Sequence, residues 1–125
     1  MYDVKIINNE AILFEDDNQV ENLESLRNNG KIHYYFPDGS FVCIWDNNTI
    51  EWFDSDGWKH RDGDMPAFIT TTGYMSYRKH GKLHRSGGAA IIAAYDHEEY
   101  WLDNKYYTED KFINYLNSYG IIYHV

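Results

Sequence analysis

The sequence predicts a mainly β domain of the α+β class: an antiparallel hairpin meander built of repeats, capped by a short helix at each end. Three observations carry this reading. A central segment recurs after 24 and then 23 residues with its turn residues in place. Aromatic residues make up 18% of the 125 residues, and Tyr, Phe and Trp suit a half-buried pleated surface. Short apolar alternations are separated by Asn, Asp and Gly pairs, which tolerate left-handed backbone. The span 1–125 reads as a single domain, with a repeat core over about 39–107 and capping helices over about 18–28 and 109–118.

Taken in order, Tyr2 to Ile7 and Ala11 to Phe14 predict a hairpin around Asn8-Asn9. Val20, Leu23 and Leu26 form a narrow stripe, with Glu21 and Glu24 early and Asn28-Asn29-Gly30 as a stop, so 18–28 is expected to be helical. Ile32 to Phe36, Phe41 to Trp45 and Ile50 to Phe53 follow as strands, joined by Pro37-Asp38-Gly39 and Asn47-Asn48 turns. Phe68 to Thr72 and Tyr74 to Tyr77 continue the meander. Ala89 to Leu102 is rich in Ala and Glu, yet it aligns with a Thr-rich first copy that suits strand, so strand is expected. Thr108 is a fitting N-cap with Glu109 and Asp110 behind it, Phe112, Ile113 and Leu116 form the apolar face, and Gly120 closes the helix. Ile121 to His124 reads as a last strand.

The repeat is explicit in residues. Gly57-Trp58-Lys59-His60-Arg61-Asp62-Gly63-Asp64-Met65-Pro66-Ala67 returns as Gly81-Lys82-Leu83-His84-Arg85-Ser86-Gly87-Gly88-Ala89-Ala90, and Tyr77 then matches Tyr100 while Gly81 matches Asn104. These motifs resemble the "HRDGDLPA … GKLHRDGGPA" variant of MORN-like repeats found in proteins of large bacteriophages and giant DNA viruses. The resemblance covers about 39–118, and Tyr106 to Phe112 is similar to the helix that closes such arrays. Ala89 departs from it, standing where proline is usual. The resemblance implies a β-hairpin meander and a viral or mobile-element origin, and it carries no established catalytic activity.

Charge is segregated. Residues 59–88 hold Lys59, Arg61, Arg78, Lys79, Lys82 and Arg85 against Asp62 and Asp64, a net +4, while the rest of the chain carries −13 of the total −9. Arg61, Arg78, Lys82, Arg85, His60 and His84 are therefore the anion-binding candidates, Arg as a bidentate fork. The competing reading is structural: a His-Arg pair that recurs in register bonds turn carbonyls or a carboxylate, and Arg61 and Arg85 are expected to be buried in that role. Acidic residues cluster at Glu15, Asp16, Asp17, Glu21 and Glu24 and again at Glu98 and Glu99, the protein-binding candidates. His60, His80, His84 and His97 are the only residues that suggest metal, and no cysteine or carboxylate completes a ligand set, so no metal or cofactor is expected.

Function classes narrow accordingly. The chain has no phosphate loop, dinucleotide fingerprint or nucleophile elbow, so no catalytic residue is assigned. Its acidity argues against direct nucleic-acid binding. The longest apolar run, Ala89 to Tyr95, is far short of the ~20 residues of a membrane span. The N-terminus lacks a basic, then apolar, leader, and the lone Cys43 suits a reducing compartment, so a cytoplasmic location in the host cell is expected. Cys43 itself alternates with Val42 and Ile44 and reads as a buried thiol. The expected function is non-enzymatic: an acidic viral protein that binds and inhibits or redirects a host protein, a nucleic-acid-binding one with a basic surface being the natural target. The alternative is a module that sequesters an anionic small molecule, such as a nucleotide, through the His-Arg turns.

Overall fold

The computed structural model describes residues 1–120. Hairpins dominate it because the chain places suitable residues at its shortest loops. Asn8–Asn9, Asp16–Asp17, Asn29–Gly30, His80–Gly81 and Asp103–Asn104 take positive φ at both positions. That is the type I′ geometry, whose twist matches the strands it joins. Gly81 is needed twice over: its φ is +85°, and a Cβ there would lie 2.8 Å from the Trp58 ring.

Strands β1 (Tyr2–Ile7), β2 (Glu10–Glu15) and β3 (Asn18–Gln19) form a small antiparallel sheet. The main sheet begins with β4 (Glu24–Asn28), β5 (Lys31–Tyr35), β6 (Phe41–Trp45), β7 (Ile50–Phe53), β8 (Phe68–Ile69) and β9 (Met75–Ser76). Strands β10 (Arg78–Lys79) and β11 (Lys82–Leu83) leave it as a separate hairpin. It resumes with β12 (Ile91–Ala93), β13 (His97–Leu102) and β14 (Lys105–Tyr107). All nine strands of this sheet pair antiparallel with their neighbours in chain order. A single 3-10 turn at Ala94–Asp96 joins β12 to β13, so the Ala- and Glu-rich segment is strand, as its alignment predicts.

Helix α1 (Glu109–Ser118) forms as expected. Thr108 caps it by accepting from the Lys111 amide, and Phe112 and Leu116, one turn apart, are fully buried. The helix predicted over 18–28 does not form. Asp16–Asp17 reverses the chain instead, Val20 donates its amide to the Leu13 carbonyl, and residues 24–28 pair with β5. Asn-Gly is both a helix stop and a hairpin signal, and the pairing available from β5 decides between them. Leu26, assigned to an apolar helix stripe, is 55% exposed on the edge strand. The strand expected at Ile121 to His124 lies outside the described residues.

Paired residues of an antiparallel ladder share a face. One face of the main sheet carries both cores. Val42, Ile50 and Trp52 with Phe36 and Ala67 pack against Leu13, and Tyr2, Val4, Val20 and Leu23 close the margin. At the other end Tyr100 and Leu102 with Ala89 pack under Phe112 and Leu116. The small sheet and the helix thus cover the same side. No helix among the described residues is long and apolar enough to cross a membrane.

Candidate functional site

The two His-Arg units share a set of equivalent hydrogen bonds. Trp52 and Tyr77 donate their amides to Ala67 and Ala90 at 2.7 Å each, and accept in turn from the amides of His60 and His84 at 2.9 and 3.1 Å. The His60 Nδ1 accepts the His80 amide at 3.0 Å, and the His84 Nδ1 accepts the Asp103 amide at 3.1 Å. Gly81 and Asn104 donate to the Lys59 and Leu83 carbonyls at 2.8 and 2.9 Å. The sequence repeat is therefore a hydrogen-bond repeat as well, with offsets of 23 to 25 residues.

Each arginine lies over the aromatic ring of its own unit. The Arg61 guanidinium is 4.1 Å from the Trp52 ring and Arg85 is 3.8 Å from Tyr77. Arg61 donates to the Pro66 carbonyl at 3.3 Å and to Asp3 at 3.1 Å; Arg85 donates to the Ala89 carbonyl at 3.1 Å and to Asp64 at 2.8 Å. Ala89 thus offers the same carbonyl as Pro66, so the missing proline leaves this contact intact. Both arginines are held by internal partners, the structural role their recurrence predicts.

Arg61, Arg78, His84 and Arg85 line one cleft of about 370 Å³ between the units. His60 faces a second cleft of about 330 Å³, and Lys82 lies outside the first, opposite Lys79 across the β10–β11 pair. His60 donates its Nε2 proton to Asp62 at 2.9 Å and stacks on His80 at 4.0 Å between ring centroids. Its Nδ1 already accepts an amide, which fixes that tautomer. His80 in turn contacts the buried Asp54 at 2.7 Å. Burial pushes the Asp54 carboxyl up, but hydrogen bonds from His80 and from the Trp58 and Asp56 amides outweigh it and hold the group below the usual carboxylate range.

The acidic candidates do not converge. Asp16 and Asp17 sit in a turn and pair with the N-terminal ammonium and Lys5. Glu15 and Glu21 line a shallow groove beside β3, and Glu24 starts the exposed edge strand. Glu98 accepts from the Tyr100 hydroxyl on the core side. Glu99 lies on the opposite side, where hydrogen bonds from His97 and the Trp101 indole lower its pKa.

That opposite side is the feature the residue candidates missed. Glu24, Tyr35, Phe41 and Phe53 form one cross-strand row; Leu26, His33, Cys43, Glu51 and Phe68 form the next. Phe41 and Phe53 stack at 4.8 Å, and Tyr35 meets Phe41 at 5.5 Å. Trp45 donates its indole N–H to Glu51. Neither core cluster includes a side chain of this face. Cys43 is 1% exposed there, and burial pushes its thiol up to about 11. The signal was present as alternation in Phe41-Val42-Cys43-Ile44-Trp45, but alternation does not say which face is covered. No family model, curated protein or solved structure matches the chain, so the geometry alone carries the functional reading.

Proposed function

We propose that this is a non-enzymatic interaction protein of viral type that uses its open sheet face to bind a host protein and to inhibit or redirect it. The observation that carries the reading is that face: half-buried rings of Tyr35, Phe41, Phe53 and Phe68, interspersed with the carboxylates of Glu24, Glu51 and Glu99, on the side away from both cores. Aromatic anchors with polar neighbours are the composition of binding hot spots. The fitting partner is a basic, nucleic-acid-binding host protein, whose Arg and Lys side chains stack on rings and pair with carboxylates. A net charge of −9 steers such a partner in and disfavours nucleic acid itself. An origin in a phage or large virus acting in the host cytoplasm rests on the resemblance of the His-Arg motifs to MORN-like repeats alone. Sequestration of an anion by the His-Arg turns is the weaker reading, because Arg61 and Arg85 already face Asp3 and Asp64.

The test is capture from host lysate with the full chain and with a Tyr35→Ser, Phe53→Ser variant of unchanged melting temperature. The native chain is expected to enrich a basic protein, less as salt rises, and the variant to lose it. Equal recovery by both chains would refute the open face as the binding surface.

A further inference from the structure

The cleft between the two His-Arg units lies apart from the open face. Three of the four arginines reach a carboxylate: Arg27 with Asp46, Arg61 with Asp3, Arg85 with Asp64. Arg78 reaches none among the described residues. Its Nη1 donates to the Gly81 carbonyl at 3.2 Å, and its Nε is buried without a partner. A charged donor left unsatisfied inside a protein is costly, and this chain has acidic residues in excess with which to satisfy it.

The repeat shows that the scaffold does not ask for a cation here. Arg78 follows Tyr77 as Phe53 follows Trp52 and Trp101 follows Tyr100, and those equivalent positions are aromatic. Lys79 adds to the anomaly. It stands directly opposite Lys82 across β10–β11, two like charges on one face, and neither has a carboxylate partner among the described residues. In a chain of net charge −9, three cations are gathered at one hairpin and none has a carboxylate partner among the described residues.

Arg78 and Lys79 border a cleft with room for an anion. Arg78, Lys79, Ser86 and Gly87 line it, and its volume of about 370 Å³ holds a phosphate with a small organic group attached. The Ser86 hydroxyl makes no hydrogen bond among the described residues. The two carboxylates on the wall are already engaged: Asp64 binds Arg85 through both oxygens, and Asp62 accepts from His60. We infer that Arg78 and Lys79, with the Ser86 hydroxyl, bind a phosphate group in this cleft, either free phosphate or a phosphate monoester. The Arg78 guanidinium would donate to the phosphate while Lys79 supplies a point charge, and the anion would relieve the repulsion between Lys79 and Lys82.

The experiment is a titration of the full chain with inorganic phosphate, read by amide and arginine side-chain resonances. Saturable shifts are expected at Ser86, Gly87 and the Arg78 Nε–H. Arg78→Met keeps the stem and should weaken binding about tenfold or more. Arg78→Lys, which keeps the charge and guards against misfolding of the first variant, should recover part of it. Lys111→Met, on the exposed side of α1, and the Tyr35→Ser, Phe53→Ser chain should bind as the native chain does, which separates this site from the open face. A parallel titration with a nucleoside monophosphate distinguishes the sources: tighter binding than phosphate assigns a monoester, equal binding assigns free phosphate. Absence of saturable shifts with both probes, or undiminished binding by a folded Arg78→Met chain, would overturn the inference.

Discussion

Arg61 and Arg85 occupy equivalent turns, lie on equivalent rings and bond equivalent carbonyls, yet their side chains are 8% and 18% exposed. The difference comes from what stands beyond each turn. Arg61 reaches Asp3 and the Tyr2 carbonyl, so it ties the small sheet to the main one. Arg85 reaches Asp64, so it ties one unit to the preceding unit at a wetter site. Burial pulls the Arg61 pKa below its ordinary value and Asp3 partly restores it, while the group stays charged at any working pH. One repeated motif therefore serves two structural tasks of unequal weight, and the weight follows the degree of burial.

The largest expected effect is that of Arg61→Ala. It leaves Asp3 and two carbonyls without a donor and strips the cover from Trp52, a cost of about 3 kcal/mol in urea or thermal unfolding. Amide exchange in β1 and β2 should accelerate more than exchange in β6 and β7, because the small sheet is released first. Arg85→Ala is expected to cost about 1–2 kcal/mol. A double-mutant cycle with Asp64→Ala should show coupling, since the two groups are in contact. If Arg85→Ala proves the more damaging, the argument from burial fails.

A smaller effect separates the units by pH. Asp54 belongs to the first unit alone, for the equivalent position after Tyr77 is Lys79. Its folded pKa is depressed, so the unfolded chain binds more protons just below the ordinary carboxylate range. The stability it contributes is complete above about pH 4 and drains away as pH falls through the depressed value. Asp54→Asn should lower the urea midpoint at pH 7 by the equivalent of about 1 kcal/mol and merge with the native curve in acid. A constant gap at all pH values would remove the carboxylate from the account.

The smallest effect is a control at Cys43, far from either unit in function. With its thiol pushed up to about 11, alkylation of the native chain at pH 8 should be on the order of 100-fold slower than in urea from thiolate depletion alone. Arg61→Ala should leave that protection in place if it loosens the small sheet and not the open face. Rapid labelling of the variant would show that the main sheet itself has opened.

Legibility tracked locality. The hairpins at Asn8-Asn9 and Asn47-Asn48 and the Thr108-capped helix depend on residues within a few positions of one another, and they formed as read. The segment 18–28 was misread because Val20, Leu23 and Leu26 are spaced like a helix face while Asn29-Gly30 fits a helix end and a hairpin equally. Partnership with β2 and β5 settled it, and that partnership is not written in the segment.

By itself the sequence determined the mainly antiparallel architecture, the places where the chain turns, the closing helix, and the structural recurrence of the His-Arg pair. Each rests on backbone preference or on period, properties a short stretch possesses before it meets the rest of the chain. Tertiary structure decided which face of the sheet is buried and which is open, because that depends on where the small sheet and α1 dock. It also decided that Arg61 and Arg85 find Asp3 and Asp64, 58 and 21 residues away, while Arg78 in the same cleft finds no carboxylate among the described residues. Charge composition is a property of the chain, but the neutralisation of a given charge is a distance, and only the fold sets distances.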